Sequence, residues 1–207
     1  SEIKEIADKH NLRIIEDGSH SIGSSYTHNG KEHFCGDGTH ADLCTYSFHP
    51  VKHITTGEGG AVLTNNPDVY DKLVALRYLG VVDNEACYYP SLNAKIDTIQ
   101  AAMILVSFRN LDENIRIRNE IARQYSESLG DVVTCPKVYP AGDTKSVFFD
   151  FTIVTEKRDD LQVFLRQHGI ESKIKHPILM PHQPAYSFMT ETHLPKAEYL
   201  VKRILSL

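Results

Sequence analysis

"SFHPVKHITTGEGG", residues 47–60, combines one serine, two histidines, a proline, a lysine, two threonines and three glycines in fourteen positions. Neither a helix nor a strand interior suits this run, because proline removes a backbone donor and glycine carries an entropic cost. It reads as a loop built around Lys52. Upstream, "ADLCTYSF" (41–48) has strand composition, and "GGAVLTN" (59–65) supplies a second strand downstream. Earlier still, "LRIIED" (12–17) reads as a short buried strand ending in two carboxylates. Ile3, Ile6, Ala7 and His10 before it follow helical spacing, with Asn11 as the helix end. A helix feeding a buried strand is half of a βαβ unit, so the first part predicts an α/β architecture with a mainly parallel sheet. The stretch "THNGKEHFCGDGTH" (27–40) reads as a loop carrying Asn-Gly and Asp-Gly turn signals.

Working toward the C-terminus, after Asn65-Asn66-Pro67 the stretch "DVYDKLVALRYLG" (68–80) predicts a helix stopped by Gly80, and residues 82–93 are irregular. One long helical pattern runs from about Ile96 to Leu129 and ends at Gly130. "VFFDFTIVT" (147–155) alternates like a half-buried strand, "KRDDLQVFLRQHG" (157–169) is helical, and residues 170–180 resume extended structure. That order predicts a smaller α+β domain with the long helix as bridge. The expected division is 1–115 for the larger domain, and 116–207 for the bridging helix and small domain.

Among 207 residues there are 22 basic and 27 acidic side chains, a net charge of −5, which gives no electrostatic footprint for nucleic acid. The longest apolar stretch, Ala101–Val106, is far below the roughly 20 residues needed to cross a bilayer. No membrane partner is expected. The mixed-charge N-terminus lacks the apolar core of a signal peptide. Cys35, Cys44, Cys87 and Cys135 are irregularly spaced, which suits free thiols in a reducing, cytoplasmic setting. The chain begins at Ser1 inside one helical pattern and stops at Leu207 inside another, and so reads as a piece of a longer protein.

The chemistry gathers at the strand ends. Asp17 closes one strand, Ser47 closes the next, and Lys52 follows in a loop closed by Gly57-Glu58-Gly59-Gly60. Strand ends along one rim of a parallel sheet are where α/β proteins collect ligands. An amine to condense with an aldehyde, a hydroxyl for a phosphate and a carboxylate for a ring nitrogen together suit pyridoxal 5'-phosphate. Taken singly, each has an ordinary reading: Asp17 as a turn residue, Ser47 as a cap, Lys52 as a solvated cation. Only the ordered set points to the cofactor. The glycines lack the order of a P-loop. His28, His33, Cys35, Asp37, His40 and Cys44 suggest zinc by composition, but their spacings match no zinc pattern and the turn signals favour a solvated loop. No metal is expected.

The segment "EDGSH…SFHPVKHITTGEGGAVLTN" resembles the DegT/DnrJ/EryC1/StrS family of nucleotide-sugar aminotransferases. "LVALRYLG" is similar to that family's L-R-x-H-G segment, with Leu79 at the histidine position. "SLNAKIDTIQAAMIL" is similar to its N-x-R-x-D/S-x-x-Q-A-A segment, with Lys95 where arginine is common. "HPILMPHQPAYSF" and "LPKAEYLVKRILSL" look like its late segments, although Leu179-Met180 replace a usual proline ahead of His182. The resemblance implies a fold-type-I aminotransferase fold, here a partial large domain plus a small C-terminal domain. It implies Lys52 as the Schiff-base lysine and Asp17 as the pyridinium partner. His20 would lie against the ring or its phenolic oxygen, Ser47 at the phosphate, and Asn93 at the phosphate of a neighbouring subunit, hence a homodimer with shared sites. Implied reactants are glutamate as amino donor and a UDP-linked 4-keto-6-deoxy-N-acetylhexosamine as acceptor, in amino-sugar or surface-polysaccharide synthesis. Alternatives are a non-catalytic regulatory domain and a related dehydratase with histidine for lysine; Lys52 disfavours the dehydratase. Family members are longer, and their upstream part supplies another phosphate-binding turn and a stacking aromatic, so weak or absent cofactor binding is expected of this chain alone.

Overall fold

The computed structural model describes residues 2–83, 85–139, 144–188 and 193–207. In order, the chain forms α1 (Glu2–Lys9), β1 (Ile15–Asp17), β2 (Ser25–His28), β3 (Lys31–Phe34), β4 (Leu43–Ser47) and β5 (Gly60–Leu63). Then come α2 (Pro67–Arg77), β6 (Val81–Val82), β7 (Ala86–Cys87), α3 (Thr98–Arg109), α4 (Leu111–Leu129) and β8 (Thr144–Lys145). Last are β9 (Thr152–Val154), α5 (Arg158–Gln167), α6 (Pro195–Val201) and β10 (Ile204–Ser206). Packing divides the chain into Ser1–Arg118 with Tyr139–Phe149, and Asn119–Val138 with Asp150–Leu207.

In the first unit, β4 is the centre of a three-stranded sheet ordered β1-β4-β5. β1 runs parallel to β4, with Glu16 opposite Cys44 and Asp17 opposite Thr45. β5 runs antiparallel to β4, with Ser47 opposite Gly60. Strand side chains alternate between faces, so this register puts Asp17, Thr45 and Ser47 on one face and Glu16, Cys44 and Tyr46 on the other. The first face is open: Ile15 and Val62 on it are 65% and 49% exposed. Beside the sheet, Ile22, Phe48 and Ile54 form a buried cluster, with Tyr46, Ala61, Ile96, Ile104 and Leu111 packed on it.

Residues 27–40, expected as a loop, contain a hairpin instead. β2 and β3 pair from Ser25–Phe34 to His28–Lys31. Asn29 and Gly30 take φ of 51° and 74° between them, the left-handed pair that a two-residue hairpin turn requires. β8 adds to the other side of β2. The single long helix expected over 96–129 is two helices. Asp97 caps α3 with a reciprocal Gln100 contact, and Asn110 separates α3 from α4. Ile115 of α4 is fully buried over Gly23, where φ is +84° and a Cβ would lie 2.6 Å from Ile115 Cδ1.

In the second unit, β9 and β10 pair antiparallel. Ala122, Phe151, Ile153 and Leu205 form its buried apolar set. Asp150 accepts hydrogen bonds from Thr152 Oγ1 (2.7 Å) and Ser206 Oγ (2.8 Å) and pairs with Lys175 Nζ at 2.9 Å. The strand expected over 147–155 shortens to 152–154 because Phe148 has φ of +40°, which breaks the extended run. Residues 170–180, expected as extended, contribute a single bridge from Lys173 to Ser206.

Ile54 is the loop's anchor, at 1% exposure. Ile54→Ala is expected to cost about 2–5 kcal/mol, the range for truncating a buried aliphatic side chain. Urea denaturation reads this; an unchanged midpoint would show that the loop is held by something else.

Candidate active site

Asp17 is the last residue of β1. Its Oδ1 accepts hydrogen bonds from the Ser19 hydroxyl and from Ser19 N–H at 3.0 Å. These bonds, the hydroxyl's first, hold the Asp17 carboxyl below its ordinary range; burial opposes them, and the charges of His20 and Lys52 lower it further. Ser47 closes β4, and its Oγ accepts from His49 N–H at 3.4 Å.

Lys52 is placed by the loop's own hydrogen bonds. Its N–H closes a turn on His49 O at 2.9 Å, and Thr56 N–H donates to Phe48 O at 3.1 Å. Thr55 Oγ1 donates to Phe48 O at 2.8 Å, and Thr56 Oγ1 to Glu58 O at 2.7 Å. From α3, Gln100 Nε2 donates to Glu58 O at 2.7 Å. The return into β5 leaves no room for a side chain, since a Cβ on Gly60 would lie 2.7 Å from Tyr46 O. His53 is tied to Ile22 O through Nε2 at 2.8 Å, and burial lowers its pKa, so a neutral imidazole adjoins Lys52.

Phe149 joins the group from far along the chain. His20 stacks on it, with ring centroids 4.0 Å apart at 23°, and Lys52 Nζ lies 4.9 Å from its centroid. Sequence reasoning missed Phe149, because alternation assigned it to a strand and its position depends on the turn at Phe148. Asp17, His20 and Lys52 therefore stand together, and Ser47 shares Asp17's sheet face. Asn93 sits on a separate segment, exposed and bridged to Tyr78 after α2. Lys95 beside it lies 3.7 Å over the Tyr78 ring, an amine–aromatic contact that arginine would make with its planar face.

Of the histidines and cysteines weighed for zinc, His28, His33 and His40 cluster around the hairpin with ring centroids 4.8–6.4 Å apart. His33 Nδ1 contacts Asp37 at 3.2 Å and His40 Nδ1 contacts the Tyr26 hydroxyl at 2.5 Å. Cys35 and Cys44 pair with each other instead, their sulfurs 4.0 Å apart.

An ionised carboxylate, a primary amine, a hydroxyl and a stacked ring form a donor set that fits a phosphorylated pyridine aldehyde. Comparison with known proteins agrees in family. The chain is 34% identical over 212 residues to the pleiotropic regulatory protein of Geobacillus stearothermophilus, covering 99% of this chain and 55% of that one. It is 37% identical over 130 residues to the UDP-4-amino-4,6-dideoxy-N-acetyl-beta-L-altrosamine transaminase of Campylobacter jejuni, covering 61% and 33% of the two chains. A DegT DnrJ EryC1 StrS aminotransferase from Brucella abortus superposes with a TM-score of 0.86 at 36% identity, covering 99% of this chain and 54% of that one. The chain thus spans about half the length of the curated relatives it matches. The fold is that of a partial fold-type-I aminotransferase. The family model matches residues 1–207, and the chain belongs to the DegT/DnrJ/EryC1/StrS aminotransferase family.

Proposed function

We propose that this chain is the lysine-bearing part of an aminotransferase that moves an amino group from glutamate to a nucleotide-linked keto-sugar, with pyridoxal 5'-phosphate as cofactor. The observation that carries the reading is Lys52 Nζ 4.9 Å from the Phe149 ring on which His20 stacks, with Asp17 at the end of the neighbouring strand. The family is pyridoxal-phosphate-dependent. Bound here, that cofactor supplies an electron-accepting ring for the pair released when a Cα–H bond breaks.

The chain's own residues divide the remaining work. Lys52 Nζ would hold the cofactor as its covalent anchor and, as a free amine, would act as the base that carries the proton. Asp17 would pair with the ring nitrogen and keep it protonated, a role for an ionised carboxylate, which its Ser19 bonds favour. Ser47 holds the phosphate. His20, backed by Phe149, lies against the ring. Asn93 reaches the neighbouring subunit's phosphate in a homodimer. In support of that assembly, α3 leaves Ile99, Met103, Leu105 and Val106 exposed, an apolar surface of the kind homodimers bury.

For the acceptor we favour a UDP-linked 4-keto-6-deoxy-N-acetylhexosamine, in amino-sugar or surface-polysaccharide synthesis in the cytoplasm. The Campylobacter relative's name describes a product sugar of that class. No helix among the described residues is long and apolar enough to cross a membrane. A second reading, a non-catalytic regulatory domain, is favoured by the name of the Geobacillus relative.

Product analysis with glutamate and the UDP-keto-sugar, using protein from the gene's full reading frame, separates these readings. Amination should occur and vanish in Lys52→Ala; normal single-turnover amination by that variant would refute the role of Lys52. Borohydride reduction should leave the cofactor's mass on the peptide containing residue 52. The 207-residue chain alone is expected to hold pyridoxal phosphate weakly or not at all, and a strong lysine-dependent absorbance band would overturn that expectation.

The Asp17 role has its own pH signature. Its folded pKa lies below the unfolded value, so its contribution to stability is present above the ordinary carboxylate range and disappears as pH falls through the folded pKa. Ser19→Ala removes the largest cause of the depression, so the Asp17 midpoint should rise toward the ordinary range. Carboxyl-carbon NMR titration measures this, and an unmoved midpoint would assign the depression elsewhere.

A further inference from the structure

We propose that Glu16, Cys35 and Cys44 form a binding site for a thiophilic divalent cation such as zinc, on the sheet face opposite Asp17 and Ser47. The site follows from the register. Glu16 of β1 is paired with Cys44 of β4, which sends both side chains to the same face. Cys35, one residue past β3, meets them there. One ligand atom from each of the three lies within 4.8 Å of the others.

The sulfur geometry separates a metal pair from a disulfide. Cys35 Sγ and Cys44 Sγ are 4.0 Å apart. Two thiolates on tetrahedral zinc, each about 2.3 Å from the metal, lie about 3.8 Å apart. A disulfide needs about 2.05 Å. The observed spacing is thus close to the tetrahedral edge and about twice the bonded distance.

The surroundings hold each ligand in place. Gly36 N–H donates to Glu16 Oε2 at 2.9 Å, orienting the carboxylate. Tyr46 Oη donates to Cys35 O at 2.6 Å, fixing the backbone of that ligand. Such supporting bonds are the outer shell that orients metal ligands. Gly18 keeps the space open, since a Cβ there would lie 2.9 Å from both sulfurs. Cys44 is buried, while Glu16 and Cys35 are half-buried, so the site has a protected floor and a side open to solvent. Binding releases two protons to solvent and brings two thiolates and one carboxylate onto the cation, with a water in the fourth position.

The chain, reduced and stripped of metal, is titrated with Co²⁺ as a spectroscopic stand-in for zinc. Wild type should develop thiolate-to-cobalt absorption that saturates at one equivalent and is erased by zinc. Cys35→Ser should lose the band, and Glu16→Gln should bind at least ~10-fold more weakly. Cys87→Ser and Cys135→Ser should behave like wild type. Cys44→Ser removes a buried side chain and can fail for folding reasons, so half-buried Cys35 and Glu16 carry the test, with circular dichroism confirming their fold. The proposal is overturned by no band in wild type at saturating Co²⁺, by a band that survives Cys35→Ser, or by a Cys35–Cys44 disulfide that persists in the reduced sample.

Discussion

The parallel pairing of β1 with β4 is the constraint on which the rest depends. Two strand residues decide it: Glu16 opposite Cys44 and Asp17 opposite Thr45. Because the side-chain period of a strand is two, this register sorts charges to opposite faces. Asp17 goes to the open rim with Ser47, and Glu16 goes to the covered side with the thiols. A slip of one residue would exchange them, placing the Asp17 carboxylate among two cysteines. The sheet therefore acts as a sorting device before any ligand is involved.

The loop after β4 turns that sorting into a placed amine. Its fourteen residues have no repeating ladder, so a dense set of threonine hydroxyl and backbone bonds replaces one. Ile54 nails the loop into the Ile22–Phe48 cluster, and the tight return at Gly60 seals it against Tyr46. Lys52 is thus held in place by the backbone and threonine bonds of its own loop. This explains why an unusual composition surrounds one ordinary residue type.

Much of this was legible in the sequence. Asp17, Ser47 and Lys52 were read as strand-end residues, and they are found at or just past the ends of β1 and β4. The hairpin was signalled too: Asn29-Gly30 is the turn chemistry of a two-residue loop, but the polar, histidine-rich flanks hid the alternation expected of strands. The break at Asn110 carried no proline or glycine to announce it. Phe149 was illegible for a different reason: its partners His20 and Lys52 are set by tertiary return of the chain, not by local pattern. The same holds for Glu16 and Cys35, whose meeting is a product of strand register and hairpin closure together.

Phe149 has a temporal consequence. The chain leaves the first unit after Arg118 and rejoins it at Tyr139, so the wall behind His20 and Lys52 arrives long after they do. At a synthesis rate of roughly 5–20 residues per second, the lysine waits for several seconds at the ribosome without its aromatic backing. A contact of such wide sequence separation also forms against a large loop-closure entropy. The nascent chain thus carries Lys52 without Phe149 until late, and the arrival of that ring completes the His20–Phe149–Lys52 group.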